Sequence, residues 1–392
     1  MQYFLTIPAF LYLSLHLAAP YLPGHLWGVD ALAYQPELFV PFIVVSLLLL
    51  TAVTGDRLPV QINDAFARFP ESGRLPALYA LTALLVSVFL TQTHLLGDGG
   101  LLLRELALGA ESPEDRAPLS LFLIQQLYTW VGDALTTYRL VSLTSGIGFV
   151  WLALKIGQSL ATEEGSGLGI TALLITQGYS LLFAGYVETY SLLFAASALY
   201  IYVAVRCLKG EVGLLVPALV LSAVICVHVA AVSLVPSFVA LLYVRREWGN
   251  RGALGSLGVL PVAVIGLLVL LDYPFSGGGE DLLVSQHLLP LWSTRDLTVG
   301  YALLDASHVS DLVNALLLAA PAFLVGLPLV IVREAWDVRD LWFATLCVPP
   351  LLMTWVINPE IGAFRDWDVL AYPALFLTVA LCRWLSNPEG LP

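Results

Sequence analysis

Asp98 stands between glycines, five residues after the end of a charge-free apolar run from Leu75 to Thr93. Spanning a bilayer takes about 20 apolar residues, so the run predicts a membrane helix and Asp98 is expected at its mouth. Glycines on both sides let the backbone turn sharply and approach a ligand closely. A carboxylate held there could accept a proton from a hydroxyl or bind a divalent cation. The alternative is a solvated turn residue, because Gly-Asp-Gly is also ordinary turn composition.

Glu188 is the second candidate functional acid, because it is the only charged residue in the apolar sequence between Leu168 and Val205. An ionised group at mid-membrane costs about 2.5–3.5 kcal/mol on insertion scales, and less near the interface. Tyr186 stands in the same corner, and its side chain suits the wall of a polar cavity. The alternative for Glu188 is a helix cap, since acids favour helix N-termini.

Two arginines could bind phosphate oxygens, because the guanidinium group presents a planar fork of N–H donors. Arg116 begins the segment Arg116-Ala-Pro118-Leu119, where a lipid-headgroup anchor is the alternative. Arg365 stands in the stretch 358–368 with three carboxylates, and Asp366 or Asp368 could orient it. Glu105 is a further candidate, for which the alternative is an exposed position on a surface helix. The candidate substrate-binding residues are Arg116, Arg365, Asp366, Asp368, Glu105, Tyr186 and His94.

The composition predicts an all-α polytopic membrane protein. Only 12% of the residues are charged, whereas soluble domains have about 25%, and the mean hydropathy is +0.86. The net charge of −12 gives no support to a nucleic-acid partner. The apolar runs predict about 12 spans, at 3–22, 38–54, 75–93, 137–156, 168–184, 186–206, 212–228, 230–244, 254–271, 312–332, 341–357 and 368–385.

The distribution of Lys and Arg predicts the topology, because these residues accumulate in cytoplasmic loops. With the N-terminus inside, 12 of the 17 fall on the cytoplasmic side and 5 outside. Leu119–Val131 is then an interfacial helix, since a full span would invert everything after it. Both termini are therefore expected in the cytoplasm and the acidic loops outside. We expect a single transmembrane domain over 1–392, with two extra spans in 1–74, a core in 75–210, and C-terminal spans in 211–392 with outside loops at 272–311 and 358–368.

The three charged clusters, if they meet, suit transfer from a phosphate-activated lipid donor. Carboxylates can deprotonate an acceptor hydroxyl or bind Mg²⁺ or Mn²⁺, and arginines can bind the departing phosphate. The sequence has no Walker loop, no serine nucleophile elbow and no His-Glu-x-x-His. One alternative is a transporter or flippase for an anionic lipid or solute, because proton-coupled carriers also use intramembrane acids. A non-catalytic scaffold is the other.

A family resemblance rests on three short motifs. The chain resembles the GT-C superfamily of integral-membrane glycosyltransferases in these motifs: Gly97-Asp98-Gly99-Gly100 after an apolar run, Arg116-Ala-Pro118-Leu119, and Arg139-Leu-Val-Ser. Many relatives have His-Pro-Pro-Leu where this chain has Arg-Ala-Pro-Leu. The two spans before Leu75 are also extra relative to the usual arrangement.

The resemblance implies a function and the roles of several residues. It implies a transmembrane helical bundle that transfers one sugar from a polyprenyl- or dolichyl-phosphate donor, with inversion, on the non-cytoplasmic face of a cell membrane. The acceptor would be a glycan, a lipid or a protein. Asp98 would be the catalytic or metal-binding acid, Glu188 its partner, and Arg365 the contact to the lipid phosphate. Any divalent cation would have Asp98 and Glu188 as ligands.

Overall fold

The computed structural model describes residues 2–22, 26–30, 90–92, 96–109, 116–161, 166–245, 251–273, 287–292, 301–333 and 335–386. Within them the regular elements are helical, apart from one isolated bridge between Leu288 and Ile357. The helices are α1 (Gln2–Ala18), α2 (Gly99–Leu108), α3 (Pro118–Val131), α4 (Ala134–Leu160), α5 (Ser166–Ile175), α6 (Tyr190–Leu208), α7 (Leu215–Val227), α8 (Val235–Val244), α9 (Arg251–Leu270), α10 (Ala306–Ala319), α11 (Pro321–Ile331), α12 (Val338–Val356) and α13 (Trp367–Leu385). Short 3₁₀ turns cover Ala19–Tyr21, Gly178–Phe183 and Val229–Leu234.

Three of these helices, α4, α6 and α13, are long and apolar enough to cross a membrane. The pair α10–α11 would form a fourth span, although it is bent by 105° at its break. The apolar helices make the chain an integral membrane protein, but the number of about 12 spans is not confirmed. The predicted spans 38–54 and nearly all of 75–93 lie outside the described residues.

Local sequence explains where several helices begin and end. Pro118 begins α3, where its missing N–H is not needed, and Gly132 ends it in the left-handed conformation with φ +73°. Asp133 then caps α4, because its Oδ2 accepts a hydrogen bond from the Thr136 N–H at 2.8 Å. A helix over Leu119–Val131 is present as α3, and its position at the membrane interface stays a prediction.

The helix α13 forms the centre of the bundle, with almost every side chain buried. It packs against α12, α10, α11, α5 and α6, while α4 packs against α5 and α6. Burial at this level is unusual for a helix that faces lipid, so α13 is enclosed by protein along its length. The residues that precede it are consequently fixed against the neighbouring helix ends.

Two predicted helices are broken in the structure. The run 168–184 forms α5 and then a 3₁₀ turn, and the run 312–332 divides at Ala320 into α10 and α11. The two breaks pack together: the side chain of Gln177 accepts a hydrogen bond from the Ala322 N–H at 3.1 Å. This contact satisfies an N–H at the start of α11 that has no partner within its own helix.

Gly178→Ala should destabilise the protein, because a Cβ at this position would lie 1.8 Å from the carbonyl oxygen of Leu318. We expect a loss of about 1–3 kcal/mol, the usual cost of overpacking. Thermal unfolding of the purified protein in detergent measures it. Gly169→Ala in α5 is the control, because nothing lies within 4 Å of its Cβ position. An unfolding temperature as high for Gly178→Ala as for Gly169→Ala would contradict the packing of the two breaks.

Candidate active site

Three segments that are distant in sequence meet at one end of the bundle. They are the start of α2, the corner that precedes α6, and the loop that precedes α13. The Asp98 N–H donates to Oε1 of Glu188 at 2.6 Å, and the Gly97 N–H donates to the carbonyl oxygen of Arg365 at 2.7 Å. We call Asp98, Glu188, Asp366 and Asp368 the acidic cluster.

Gly97 lies at the centre of these contacts. A Cβ built on it would be 2.7 Å from Oε1 of Glu188, 3.0 Å from the hydroxyl of Tyr186 and 3.1 Å from Oδ2 of Asp368. Its φ of +63° is in the left-handed region, which glycine adopts at little cost. Three oxygen atoms from two other segments therefore surround one α-carbon.

The side chains around Gly97 differ in how much of their surface is exposed to solvent. Glu188 and Asp368 are buried, with 6% and 1% of their surface exposed, whereas Asp98 is partly exposed and its carboxylate does not cap α2. The Tyr186 hydroxyl and Oδ2 of Asp368 lie beside each other, and neither atom has a hydrogen bond of good geometry with any other described residue. Because an unsatisfied buried polar group costs about 1–3 kcal/mol, such atoms are typical of a site that a ligand completes.

Tyr186 is held in its neutral form. Burial, and then the neighbouring charges of Asp368 and Glu188, keep the pKa of its phenol well above the ordinary value. Its ring also packs edge-on against Trp367, with the ring centres 5.7 Å apart. The hydroxyl is therefore a fixed, uncharged hydrogen-bond donor beside two carboxylates.

Asp366 has a raised pKa for identifiable reasons. Burial raises the pKa of its carboxyl from 3.8 to about 6, and the negative charges of Asp98 and Glu360 act in the same direction. A hydrogen bond from the Ile361 N–H, at 3.1 Å to Oδ2, and the charge of Arg365 oppose the shift. Asp366 therefore takes up a proton near pH 6 in the folded protein.

Asp366→Asn should increase stability at neutral pH. Between about pH 4 and 6 the folded protein keeps this proton while the unfolded chain loses it, so stability falls as the pH rises through that window and stays lower above it. Removing the charge should restore up to about 3 kcal/mol at pH 7.5, since asparagine can still accept the hydrogen bond from Ile361. Thermal unfolding of both proteins at pH 4.5 and 7.5 measures the difference.

Asp133→Asn provides the comparison for this pH dependence, because hydrogen bonds with Thr136 lower the pKa of the Asp133 carboxyl. The wild-type carboxylate therefore contributes its stability at neutral pH and loses it in acid, and its replacement should bring no gain at pH 7.5. An Asp366→Asn protein that gains nothing at pH 7.5 relative to pH 4.5 would contradict the burial of this carboxyl.

Arg365 lines an open cavity of about 250 Å³ beside the acidic cluster. Trp27 and Phe364 also line it, with their rings edge to face and 5.8 Å apart. The indole N–H of Trp27 donates to Asp311 at 3.0 Å. The cavity thus combines aromatic surface, a carboxylate and a guanidinium group, which are the side chains that contact sugars and phosphates.

Arg116 is engaged elsewhere. Its guanidinium donates to the ring of His287 at 2.9 Å and lies 3.8 Å from Oε1 of Glu360, which also contacts His287. The Arg116 carbonyl oxygen accepts a hydrogen bond from the Val229 N–H at 2.7 Å. This exposed trio connects three segments, but no described contact brings Arg116 to Asp98 or Glu188.

The other predicted residues have different surroundings. Glu105 lines a cavity of about 270 Å³ between α2, α3 and α4, and His94 lies outside the described residues. The sequence interpretation named Gly97 only as a turn residue beside Asp98, and it did not include Trp27 or His287 among the candidate site residues. The only sequence signal for Gly97 was its position beside Asp98, and nothing in the sequence connects Trp27 with Arg365.

The described residues contain no group of three or more His, Cys, Asp or Glu side chains arranged to bind a metal. Mg²⁺ is nevertheless often bound through one or two carboxylates together with substrate phosphates. The main chain of Asp98 contacts the Glu188 carboxylate, which makes these two acids the candidates for that smaller donor set. The cation therefore stays a prediction.

The described helices form a bundle in which the carboxylates of Asp98, Glu188 and Asp368 gather at one end. The chain is similar to the crystal structure of ArnT from Cupriavidus metallidurans bound to undecaprenyl phosphate, with a TM-score of 0.52 and 13% identity. The match covers 80% of this chain and 60% of ArnT. It confirms the resemblance to the GT-C superfamily at the level of the fold. No protein-family model matches the sequence, and no curated protein matches it.

Proposed function

We propose that this protein is a membrane glycosyltransferase that moves one sugar from a polyprenyl-phosphate donor to an acceptor hydroxyl. One observation carries the proposal: Asp98, Glu188, Tyr186 and Asp368 converge around Gly97, next to the loop of Arg365. The fold is that of ArnT, which was crystallised with undecaprenyl phosphate. Because the match spans only 60% of ArnT, the activity and substrates of the whole enzyme are proposals for this chain.

Asp98 is the proposed general base. Its carboxylate is partly exposed and does not cap α2, so an acceptor hydroxyl can reach it. The hydroxyl proton passes to Asp98 while the acceptor oxygen bonds to the anomeric carbon of the sugar. The bond from that carbon to the phosphate oxygen breaks, and polyprenyl phosphate leaves from the opposite face. A single displacement of this kind inverts the anomeric configuration.

Glu188 and Tyr186 are the proposed positioning groups. Glu188 accepts the main-chain hydrogen bond of Asp98, and this fixes the start of α2 against the corner before α6. The neutral Tyr186 hydroxyl can donate a hydrogen bond to a sugar oxygen, which an ionised phenolate could not do. Asp368 is the complementary acceptor, since its buried carboxylate lies beside the Tyr186 hydroxyl and makes no hydrogen bond of good geometry through Oδ2.

Arg365 is the proposed contact to the donor phosphate. It lines the cavity that also contains Trp27 and Phe364, so phosphate and sugar could occupy adjacent surfaces. Arg116 is a weaker candidate, because its guanidinium already contacts Glu360 and His287. A cation held by Asp98, Glu188 and phosphate oxygens would neutralise the charge of the leaving group. Binding of Mn²⁺, followed by its electron paramagnetic resonance signal with and without donor, tests this.

The site is proposed to face the non-cytoplasmic side, where the distribution of Lys and Arg assigns the acidic loops. Polyprenyl-phosphate sugars serve reactions on that side of a cell membrane, whereas nucleotide sugars are cytosolic. The expected product is therefore a modified component of the cell envelope.

The test uses the purified full chain in proteoliposomes with a panel of radiolabelled polyprenyl-phosphate sugars and candidate acceptors. We expect release of polyprenyl phosphate and labelled acceptor, in equal amounts, with one sugar. Movement of labelled donor between leaflets without its cleavage would instead support the transporter. Tight donor binding with neither cleavage nor movement would overturn both activities.

A further inference from the structure

A second group of charged residues lies at the end of the bundle opposite the acidic cluster. The helices α6 and α13 begin beside the site, at Tyr190 and Trp367, and end at Leu208 and Leu385. Nineteen helical residues rise about 28 Å, close to the hydrocarbon thickness of about 30 Å. The far ends of these helices therefore lie at the level of the other membrane surface.

A cavity of about 170 Å³ opens at this end. Three cationic side chains line it: Lys209 from the end of α6, Arg339 from the start of α12, and Arg383 from the last turn of α13. Apolar side chains, including Leu208 and Phe343, line the rest. We infer that this cavity binds the phosphate of an anionic membrane lipid, with the lipid's glycerol and upper chains against the apolar wall.

Arg383 is held in place for such a role. Its guanidinium lies 3.7 Å from Oδ2 of Asp337 and 3.9 Å from Oδ1 of Asp340, and only 15% of its side chain is exposed. Asp340 is itself buried and pairs with Arg333 at 3.7 Å. Asp337 and Asp340 contact one edge of the Arg383 guanidinium group, and its remaining N–H groups can donate hydrogen bonds to a ligand.

Apart from the ion pair between Arg206 and Glu211, the described residues in and around this cavity include more cations than acids. Asp337 and Asp340 form ion pairs with Arg383, and Asp340 also pairs with Arg333. The side chains of Lys209 and Arg339 are exposed and have no ion-pair partner among the described residues. A phosphate group would supply the missing negative charge. Arginine and lysine near a membrane surface attract anionic headgroups, and guanidinium matches phosphate oxygens.

The lining favours a lipid over a free phosphate ion. Inorganic phosphate would leave Leu208 and Phe343 in contact with a fully hydrated ion and gain nothing from them. A lipid phosphate brings its own apolar portion into contact with that wall. The inference does not depend on the proposed glycosyl transfer, because no residue of this cavity belongs to the acidic cluster.

The test uses the purified full chain in phosphatidylcholine nanodiscs, titrated with dioctanoyl phosphatidylglycerol and followed by native mass spectrometry. The double variant Lys209→Gln/Arg339→Gln removes two exposed cations and leaves the ion pairs of Arg383 intact. We expect its affinity to fall at least about tenfold. Arg104→Gln, on α2 at the opposite end, is the matched control and should bind as wild type does.

Three outcomes would overturn the inference. One is unchanged phosphatidylglycerol binding by the double variant. Another is equal binding of dioctanoyl phosphatidylcholine by the wild type, which would remove the requirement for net negative charge and needs no variant. The third is competition by inorganic phosphate at the same concentration as the lipid, which would assign the cavity to the free ion.

Discussion

Asp98→Asn should reduce the rate of sugar transfer by about 10²–10⁴-fold, the usual contribution of a general base. The substitution leaves the local structure intact, because the hydrogen bond to Glu188 comes from the main-chain N–H of residue 98. Donor binding should therefore persist while the chemical step is lost. Single-turnover assays at saturating donor separate the two, since they report the chemical step alone.

Asp133→Asn is the control for this variant. Asp133 caps α4 through the Thr136 N–H, which asparagine can also do, and it is not part of the acidic cluster. Its transfer rate should stay within about twofold of wild type. Undiminished turnover by Asp98→Asn would contradict the assignment of Asp98 as the general base, whichever sugar donor the enzyme uses.

Glu188→Gln separates charge from position at the same site. Glutamine keeps an Oε1 that can accept the Asp98 N–H, so the corner should retain its geometry. A large loss of transfer would mean that the negative charge matters to the reaction, for instance as a cation ligand. A small loss would mean that Glu188 acts through the hydrogen bond alone.

The local elements of the fold were predictable because their signals are local. Pro118 and Gly132 delimit α3 as the proline and glycine rules require, and the surface helix considered for Glu105 is present as α2. The bend between α10 and α11 was missed although Pro321 marks it, because the hydropathy of 312–332 is continuous across the break. Hydropathy indicates which residues are apolar and carries no information about the direction of the helix axis.

The assembly of the site was only partly predictable. The sequence singled out Asp98 and Glu188, but their hydrogen bond joins positions 90 residues apart, and no periodicity encodes such a contact. Asp366 and Asp368 were assigned to orient Arg365. The charge of Arg365 does act on the Asp366 carboxyl, whereas Asp368 lies beside Glu188 and Tyr186, because α13 packs at the centre of the bundle. Arg116 was grouped with the phosphate site on its residue type alone, whereas tertiary packing pairs it with Glu360.

Gly97→Ala should abolish transfer, with a loss of at least about a hundredfold, while the protein still folds. Its Cβ would lie 2.7 Å from Oε1 of Glu188 and 3.1 Å from Oδ2 of Asp368, closer than carbon and oxygen atoms approach without displacement. The carboxylates must move, and misplacing catalytic groups by about 1 Å can cost a hundredfold in rate. Transfer assays and thermal unfolding on the same samples measure both effects.

The control, Gly109→Ala, isolates crowding from backbone strain. Gly109 ends the same helix α2 with φ +64°, against +63° for Gly97, and nothing lies within 4 Å of its Cβ position. Each variant should lose about 1–2 kcal/mol of stability for a non-glycine residue in the left-handed conformation; crowding should add to this loss in Gly97→Ala alone, and only Gly97→Ala should lose activity. Equal activity in the two variants would mean that the oxygens around Gly97 are not the reacting group. Equal loss would assign the effect to α2 as a whole, because strain at either end would then be sufficient.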